Sequence, residues 1–301
     1  MSQGAIYIIT QDPRYVGMLL TSAASLKRAM PELPITVFSQ FPVESPLFEK
    51  VIRVEGTRDG FYDKTQWMRQ SPYDRTMFID ADTYVLEPVP ELFALLDRFD
   101  CAATHEEYLN TDWFGRSPRP DIPASFPEFN TGILLLKRSE KVDRVLQEWG
   151  NLYRAFLEEK PGEKINDQPF FRIAVYNSDV RIATLTREYN CKFRGQGYLN
   201  GKVKILHGHV NLQLLPAHVN AAATVLNASV RPRVYIAGKV FEQKLVGRLV
   251  SRRKAHKVGS FPELPGSVLV HGARRLKEVV KERGVIGTLA RIFRTKTSGN
   301  P

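Results

Sequence analysis

Through its first two hundred residues this chain alternates short apolar runs of strand length with longer stretches of helical periodicity. That alternation limits the possible folds more than any single motif does. Residues 5–9 (AIYII) are a strand-length run, and residues 15–30 follow with Leu19, Leu20, Ala23, Ala24 and Leu26 at helical spacing. Residues 35–39 and 51–54 read as further strands, and residues 63–70 as a short helix starting at Asp63. Residues 76–79 form an apolar run that ends on Asp80; 91–97 read as helix and 101–104 as strand. Residues 115–128 are so rich in proline and polar residues that a loop is required. A buried-strand signal at 132–136 precedes a long helix over 140–159. That helix carries Val142, Val145, Leu146, Trp149, Leu152, Tyr153 and Phe156 on one face and is closed by Pro161-Gly162. Residues 167–176 predict a helix capped by Asn166 or Asp167, and 180–185 and 203–206 predict late strands. Strands alternating with helices predict an α/β sheet with helices on both faces. No GxGxxG follows the first strand, so the dinucleotide-binding fingerprint is missing.

Charge divides the chain. From Pro216 onward there are 17 Lys+Arg against 4 Asp+Glu, a balance of +13; residues 1–215 hold 26 and 28, a balance of −2. We therefore expect a domain over 1–215 and a basic, largely helical region over 216–301. Basic residues interleaved with Leu, Ile, Val and Phe over 239–296 suit an anionic membrane surface, or else form a solvated helical face. Two cysteines, Cys101 and Cys191, far apart and without CxxC spacing, argue against a disulfide framework or structural zinc and for a reducing compartment. No signal-peptide pattern and no membrane-spanning run is seen. The expected location is cytoplasmic, peripheral at the inner face of a membrane.

The segment with the most chemistry is residues 73–93, YDRTMFIDADTYVLEPVPELF. An apolar strand delivers Asp80 and Asp82 at its end, and strand ends in α/β sheets line ligand crevices. Residues two apart in extended chain project to one side, so the two carboxylates repel unless a cation lies between them. A divalent ion completed by phosphate oxygens resolves that repulsion. A solvated strand-end turn is the alternative.

At this point the sequence resembles a known family. FIDADT followed by VLEPVPELF is similar to the metal-binding segment of glycosyltransferases of the GT-A fold, above all the retaining family of glycogenin and the lipopolysaccharide galactosyltransferases and glucosyltransferases. Ile8-Ile9-Thr10 with Tyr15 resembles that family's first strand and uracil-holding loop. Lys64, sixteen positions before Asp80, stands where the family places a basic residue near the phosphates. Phe129-Asn130-Thr131-Gly132 resembles the element beside the donor sugar, and Asn166-Asp167-Gln168 the pair under the sugar ring. Lys204-Ile205-Leu206-His207-Gly208 resembles the late strand whose histidine is the third metal ligand. The likeness covers residues 4–210. It implies a mixed central sheet flanked by helices and a UDP-sugar donor. The implied metal is Mn²⁺ or Mg²⁺ on Asp80, Asp82 and His207; Asp167 and Gln168 become catalytic; Thr10, Tyr15, Lys64, Asp80, Asn130 and Thr131 bind the donor. It also implies transfer of a hexose, with retention, to a glycan or lipid-linked acceptor.

One departure is plain. The family commonly follows its histidine with glycine, lysine and a Pro-Trp pair that close over the pyrophosphate; here the chain reads His207-Gly208-His209-Val210-Asn211. Either another cation closes the site or the chain is a divergent branch. Each match also has a plainer reading: Tyr15 as a packed helix residue, Lys64 as a solvated one, Asn130-Thr131-Gly132 as a turn, Asp167 as an N-cap. Trp67, Trp113 and Trp149 are assigned to packing. His105, Glu106 and Glu107 follow a strand and so could face an acceptor, for which residues 106–128 are the place to look. Two other classes compete. A haloacid-dehalogenase phosphatase also opens on a strand ending in DxD, but it needs Thr or Val where this chain has Tyr84. A nucleic-acid-binding protein would use the basic tail, but no aromatic-basic recognition motif accompanies it, and no nucleic acid is expected as a partner.

Overall fold

The computed structural model describes residues 1–107, 122–162, 165–208, 216–242 and 257–258. Trp113, His209, the stretch 115–121 and the basic segment 272–296 lie outside the described residues. The elements run β1 (Gln3–Ile9), α1 (Arg14–Ala29), β2 (Ile35–Ser39), β3 (Lys50–Arg53), α2 (Gly60–Met68), β4 (Arg75–Ile79) and β5 (Thr83–Val85). They continue with α3 (Glu91–Ala94), β6 (Cys101–His105), β7 (Phe129–Lys137), α4 (Glu140–Glu159), α5 (Gln168–Tyr176), β8 (Ile182–Leu185), β9 (Gln196–Leu199) and β10 (Ile205–His207). The last are α6 (Pro216–Leu226), β11 (Arg233–Ile236), β12 (Lys239–Glu242) and β13 (Lys257–Val258).

The main sheet has seven strands in the order β3-β2-β1-β4-β7-β6-β8. All pairs are parallel except those made by β7, which runs antiparallel to both β4 and β6. This is the mixed sheet flanked by helices that the sequence led us to expect. Period-two alternation divides its side chains between two cores. Ala5, Tyr7 and Ile9 of β1, Met77 and Ile79 of β4 and Ile133 and Leu135 of β7 pack with Leu19, Ala23 and Leu26 of α1. Ile6, Phe78, Leu134 and Leu136 face the other way, onto Val142, Val145, Leu146 and Trp149 of α4 and Phe171 of α5. Burial on both faces explains why these strands read as continuous apolar runs.

Helix ends follow local chemistry. Ser139 accepts a hydrogen bond from the Val142 N–H and caps α4. Gly162, at φ +85°, takes the left-handed turn after that helix. The α2 start corrects the expectation: Asp59, not Asp63, is the cap, accepting from the Phe61 and Tyr62 N–H groups, and the helix begins three residues earlier.

The sequence connections β1-β2-β3 build outward from β1 in one direction, and β4 is placed on the other side of β1. The crevice beyond the carboxyl ends of β1 and β4 is therefore a topological switch point, where open α/β sheets bind ligands. Two smaller sheets frame it. β5 pairs antiparallel with β10, and β9, β11, β12 and β13 form a four-stranded antiparallel sheet. β11 hydrogen-bonds to β9 and so ties residues 233–236, part of the basic region that begins at residue 216, to residues 196–199.

Candidate active site

Three short pieces of backbone bring the acidic centre together. β4 ends at Ile79, and the Asp80 N–H donates to the Gly132 carbonyl of β7 at 2.8 Å. The chain then turns, with the Thr83 hydroxyl donating to the Asp80 carbonyl at 2.7 Å, and enters β5. β10 pairs with β5 so that His207 stands opposite Thr83, and the Gly208 N–H donates to the Asp82 carbonyl at 2.9 Å. The register of a two-stranded ladder thus sets a histidine 125 residues away against the two aspartates.

Asp80, Asp82 and His207 each offer one ligand atom, and the three atoms lie within 4.8 Å of one another. His207 Nε2 is 3.3 Å from Asp82 Oδ1 and 3.9 Å from Asp80 Oδ2. The space around them is kept clear by Gly132: a methyl group there would stand 2.2 Å from His207 Cε1 and 2.9 Å from Asp80 Oδ2. Two carboxylates and an imidazole converging on a cradle that one Cβ would fill fit a divalent cation.

Beside this cluster Lys64 is buried between two carboxylates. Its Nζ is 3.6 Å from Asp80 Oδ1 and 3.5 Å from Asp167 Oδ2, and it donates to Thr131 Oγ1 at 3.3 Å. Thr131 in turn donates to Asp167 at 3.1 to 3.2 Å. Burial works against the Lys64 charge, but Asp167 and Asp80 override it and hold the ammonium above its ordinary value. Asp80 is raised by burial, with Lys64 pulling it down and Asp82 pushing it further up. Burial likewise raises Asp167 against the pull of Lys64. Two carboxylates share one lysine, and Asp82 adds a further acidic group beside Asp80, so acidic groups outnumber the lysine that answers them. The plain readings of two residues fall away here. Lys64 is not solvated, and the Asp167 side chain does not cap α5; Asn166 accepts from the Gln168 N–H instead. Trp149 packs in the core as expected and also fixes this corner, its Nε1–H donating to the Asp167 carbonyl at 2.9 Å.

All ten expected site residues line one cleft of about 860 Å³: Thr10, Tyr15, Lys64, Asp80, Asp82, Asn130, Thr131, Asp167, Gln168 and His207. Thr10 follows the end of β1, and Tyr15 opens toward the cleft from α1 while packing on the core behind it. Burial, then Asp82, raises the Tyr15 phenol. Sequence reading missed Gln11, Asp12, Asp59, Phe61, Lys192 and Arg194 in the lining. Gln11 is held at φ +69°, its amide donating to Asp63, and nothing local in the sequence announces that backbone. Lys192 grips Glu106 at 3.1 and 3.2 Å across 86 positions of sequence, beyond the reach of any spacing rule. Of the residues expected to face an acceptor, Glu107 lines the cleft, Glu106 is buried behind it, and His105 is exposed.

No family model matches the sequence, and no curated protein does. Solved structures resemble the chain. The galactosyltransferase LgtC, solved with donor and acceptor sugar analogues, aligns at 14% identity and TM-score 0.44 over 62% of this chain and 74% of LgtC. Mouse xyloside xylosyltransferase 1 aligns at 18% identity and TM-score 0.47 over 69% of this chain and 98% of that one. The glycosyltransferase GlyE of Streptococcus pneumoniae TIGR4 aligns at 18% and 0.42 over 64% of this chain, which spans 47% of GlyE.

Proposed function

We propose that this chain is a metal-dependent glycosyltransferase that moves a hexose from a UDP-sugar to a glycan or lipid-linked acceptor with retention of configuration. One observation carries the reading: Asp80, Asp82 and His207 converge at a switch-point cleft that also holds Lys64, Asp167 and Gln168. Asp80, Asp82 and His207 would hold Mn²⁺ or Mg²⁺, and the imidazole nitrogen suits the softer Mn²⁺ better. A bound ion there supplies Lewis-acid neutralisation of the charge that develops on the departing diphosphate. Lys64 adds a fixed positive charge on the same side, already desolvated and oriented. Asp167 and Gln168 stand under the donor sugar, where a carboxylate or amide stabilises an oxocarbenium-like transition state. Asn130 and Thr131 orient that sugar, and Thr10 and Tyr15 receive the nucleoside.

The test is a donor screen. Purified protein is incubated with individual nucleotide-sugars, with Mn²⁺ or with a chelator, and products are read by mass spectrometry. Metal-dependent release of hexose and UDP from a UDP-sugar is expected; hydrolysis of none, or equal hydrolysis in chelator, contradicts the proposal. Anomeric configuration of a transfer product, read by NMR, tests retention. Residues 216–301 are proposed to serve the acceptor side or an anionic membrane surface. No helix among the described residues is long and apolar enough to cross a membrane. If deletion of residues 272–301 leaves co-sedimentation with anionic vesicles unchanged, that segment is not the anchor.

A further inference from the structure

Behind the metal-ligand cluster lies a line of buried polar side chains, of which Glu106 and Asn190 have no part in the proposed chemistry. Asn190 is fully buried at the end of the short turn Arg187–Tyr189. Its amide lies 2.9 Å from His207 Nδ1 on one side and 2.8 Å from Asn130 Oδ1 on the other. Asn130 reaches Glu106 Oε2 at 2.9 Å and Gln168 Oε1 at 2.9 Å. The amide ends and the imidazole proton along such a line follow from what each neighbour can donate or accept.

The order is forced from the Glu106 end. Burial would raise the Glu106 carboxyl, but Lys192, Asn130 and the Glu107 N–H more than offset it and bring it to about 2. A carboxylate only accepts, so Asn130 must turn its NH₂ toward Glu106. Its carbonyl oxygen then faces the Gly132 N–H, 3.0 Å away, and Asn190. Asn190 must answer that oxygen with its own NH₂, which leaves its carbonyl oxygen for His207 Nδ1. Nδ1 therefore carries a proton and donates. In the neutral ring the lone pair is then on Nε2, the nitrogen that faces Asp80 and Asp82.

We infer that Asn190 is the positioning residue for the metal ligand His207, and that the Glu106–Asn130–Asn190 line orients the imidazole so that Nε2 is its ligand atom. The inference rests on the metal reading of Asp80, Asp82 and His207. It also joins the two ends of the cleft, because Asn130 contacts Gln168 while Asn190 contacts His207. Outer partners of metal-ligating histidines typically change metal affinity about 10- to 100-fold.

The experiment titrates Mn²⁺ alone into the full chain, counting free ion by electron paramagnetic resonance and bound imidazole nitrogen by electron spin-echo modulation. N190A is expected to bind about 10- to 100-fold more weakly and to lose the imidazole signal while keeping the near-UV circular dichroism of the parent. If N190A does not keep that spectrum, N190L carries the same expectation, since it fills the space with no polar atom. N190D keeps an acceptor for Nδ1 but offers no donor to the Asn130 oxygen, so it is expected to fall between the parent and N190A and to keep the imidazole signal. Parent-like affinity and imidazole signal in folded N190A or N190L overturn the inference, and so does a loss in N190D as deep as in N190A. D80A separates this from the wider reading. If D80A loses Mn²⁺ while N190A keeps it, only the orienting line fails; if both keep it, the metal site itself fails.

Discussion

Two acidic centres stand at the cleft, Glu106 buried behind its wall and Asp80 with Asp82 in its lining, and they differ in how their charge is answered. Glu106 meets Lys192 in a pair whose carboxylate side chain is 1% exposed, with Asn130 and the Glu107 N–H completing its contacts. Asp80 and Asp82 keep 31% and 18% of their side chains open to the cleft, and Lys64, which pairs with Asp80, is shared with Asp167. The first centre is closed by the chain itself and behaves as scaffold. The second is short of a cation and is where a charged ligand gains most. Like residues are assigned to structure or to chemistry by whether the chain supplies their counter-charge.

The largest expected break in that comparison is Lys64→Met. It strands Asp167 and Asp80 beside each other without their buried cation, at a cost of about 3 to 5 kcal/mol in urea unfolding. Gly132→Ala strikes only the open centre. Its methyl enters the space of His207 and Asp80, so Mn²⁺ affinity should fall by about 100-fold, on the scale of lost ligand geometry, while the β4–β7 ladder stays intact. Glu106→Gln probes the closed centre through pH. The folded carboxyl, at about 2, lies below its unfolded value. Its stabilisation is therefore present above the unfolded value near 4.3 and is lost as pH falls toward 2. The stability difference between the parent and E106Q should shrink by roughly 2 kcal/mol between pH 6 and pH 3, read by urea unfolding at each pH. Asp143→Asn marks the floor. The Arg69–Asp143 pair, 2.7 Å long, lies at the surface, and its loss should cost under about 1 kcal/mol.

Much of the fold was legible because burial on both faces leaves a strong mark in sequence. The strand over 35–39 and the helix over 140–159 fall where periodicity put them. β5, β9 and β11 were not foreseen. They are three or four residues long, and their pairing partners, not their own composition, make them strands. The site divides in the same way. Asp80 and Asp82 announce themselves by ending an apolar strand, and the resemblance supplied His207, Asn130 and Asp167, which the fold brings into one cleft. Asn190, Lys192 and Gln11 gave no local signal. Their roles come from a ladder register, an ion pair across 86 positions and a left-handed backbone.

The central claim is that the open centre is a catalytic metal site, and D80A and D82A test it most directly. Each variant is assayed beside the parent for manganese-dependent hydrolysis of the UDP-sugar that the donor screen selects, with thermal unfolding as the control for folding. The account predicts loss of at least about a thousandfold in both, a difference of some 4 kcal/mol in transition-state stabilisation. Parent-like manganese-dependent hydrolysis in both folded variants would contradict it.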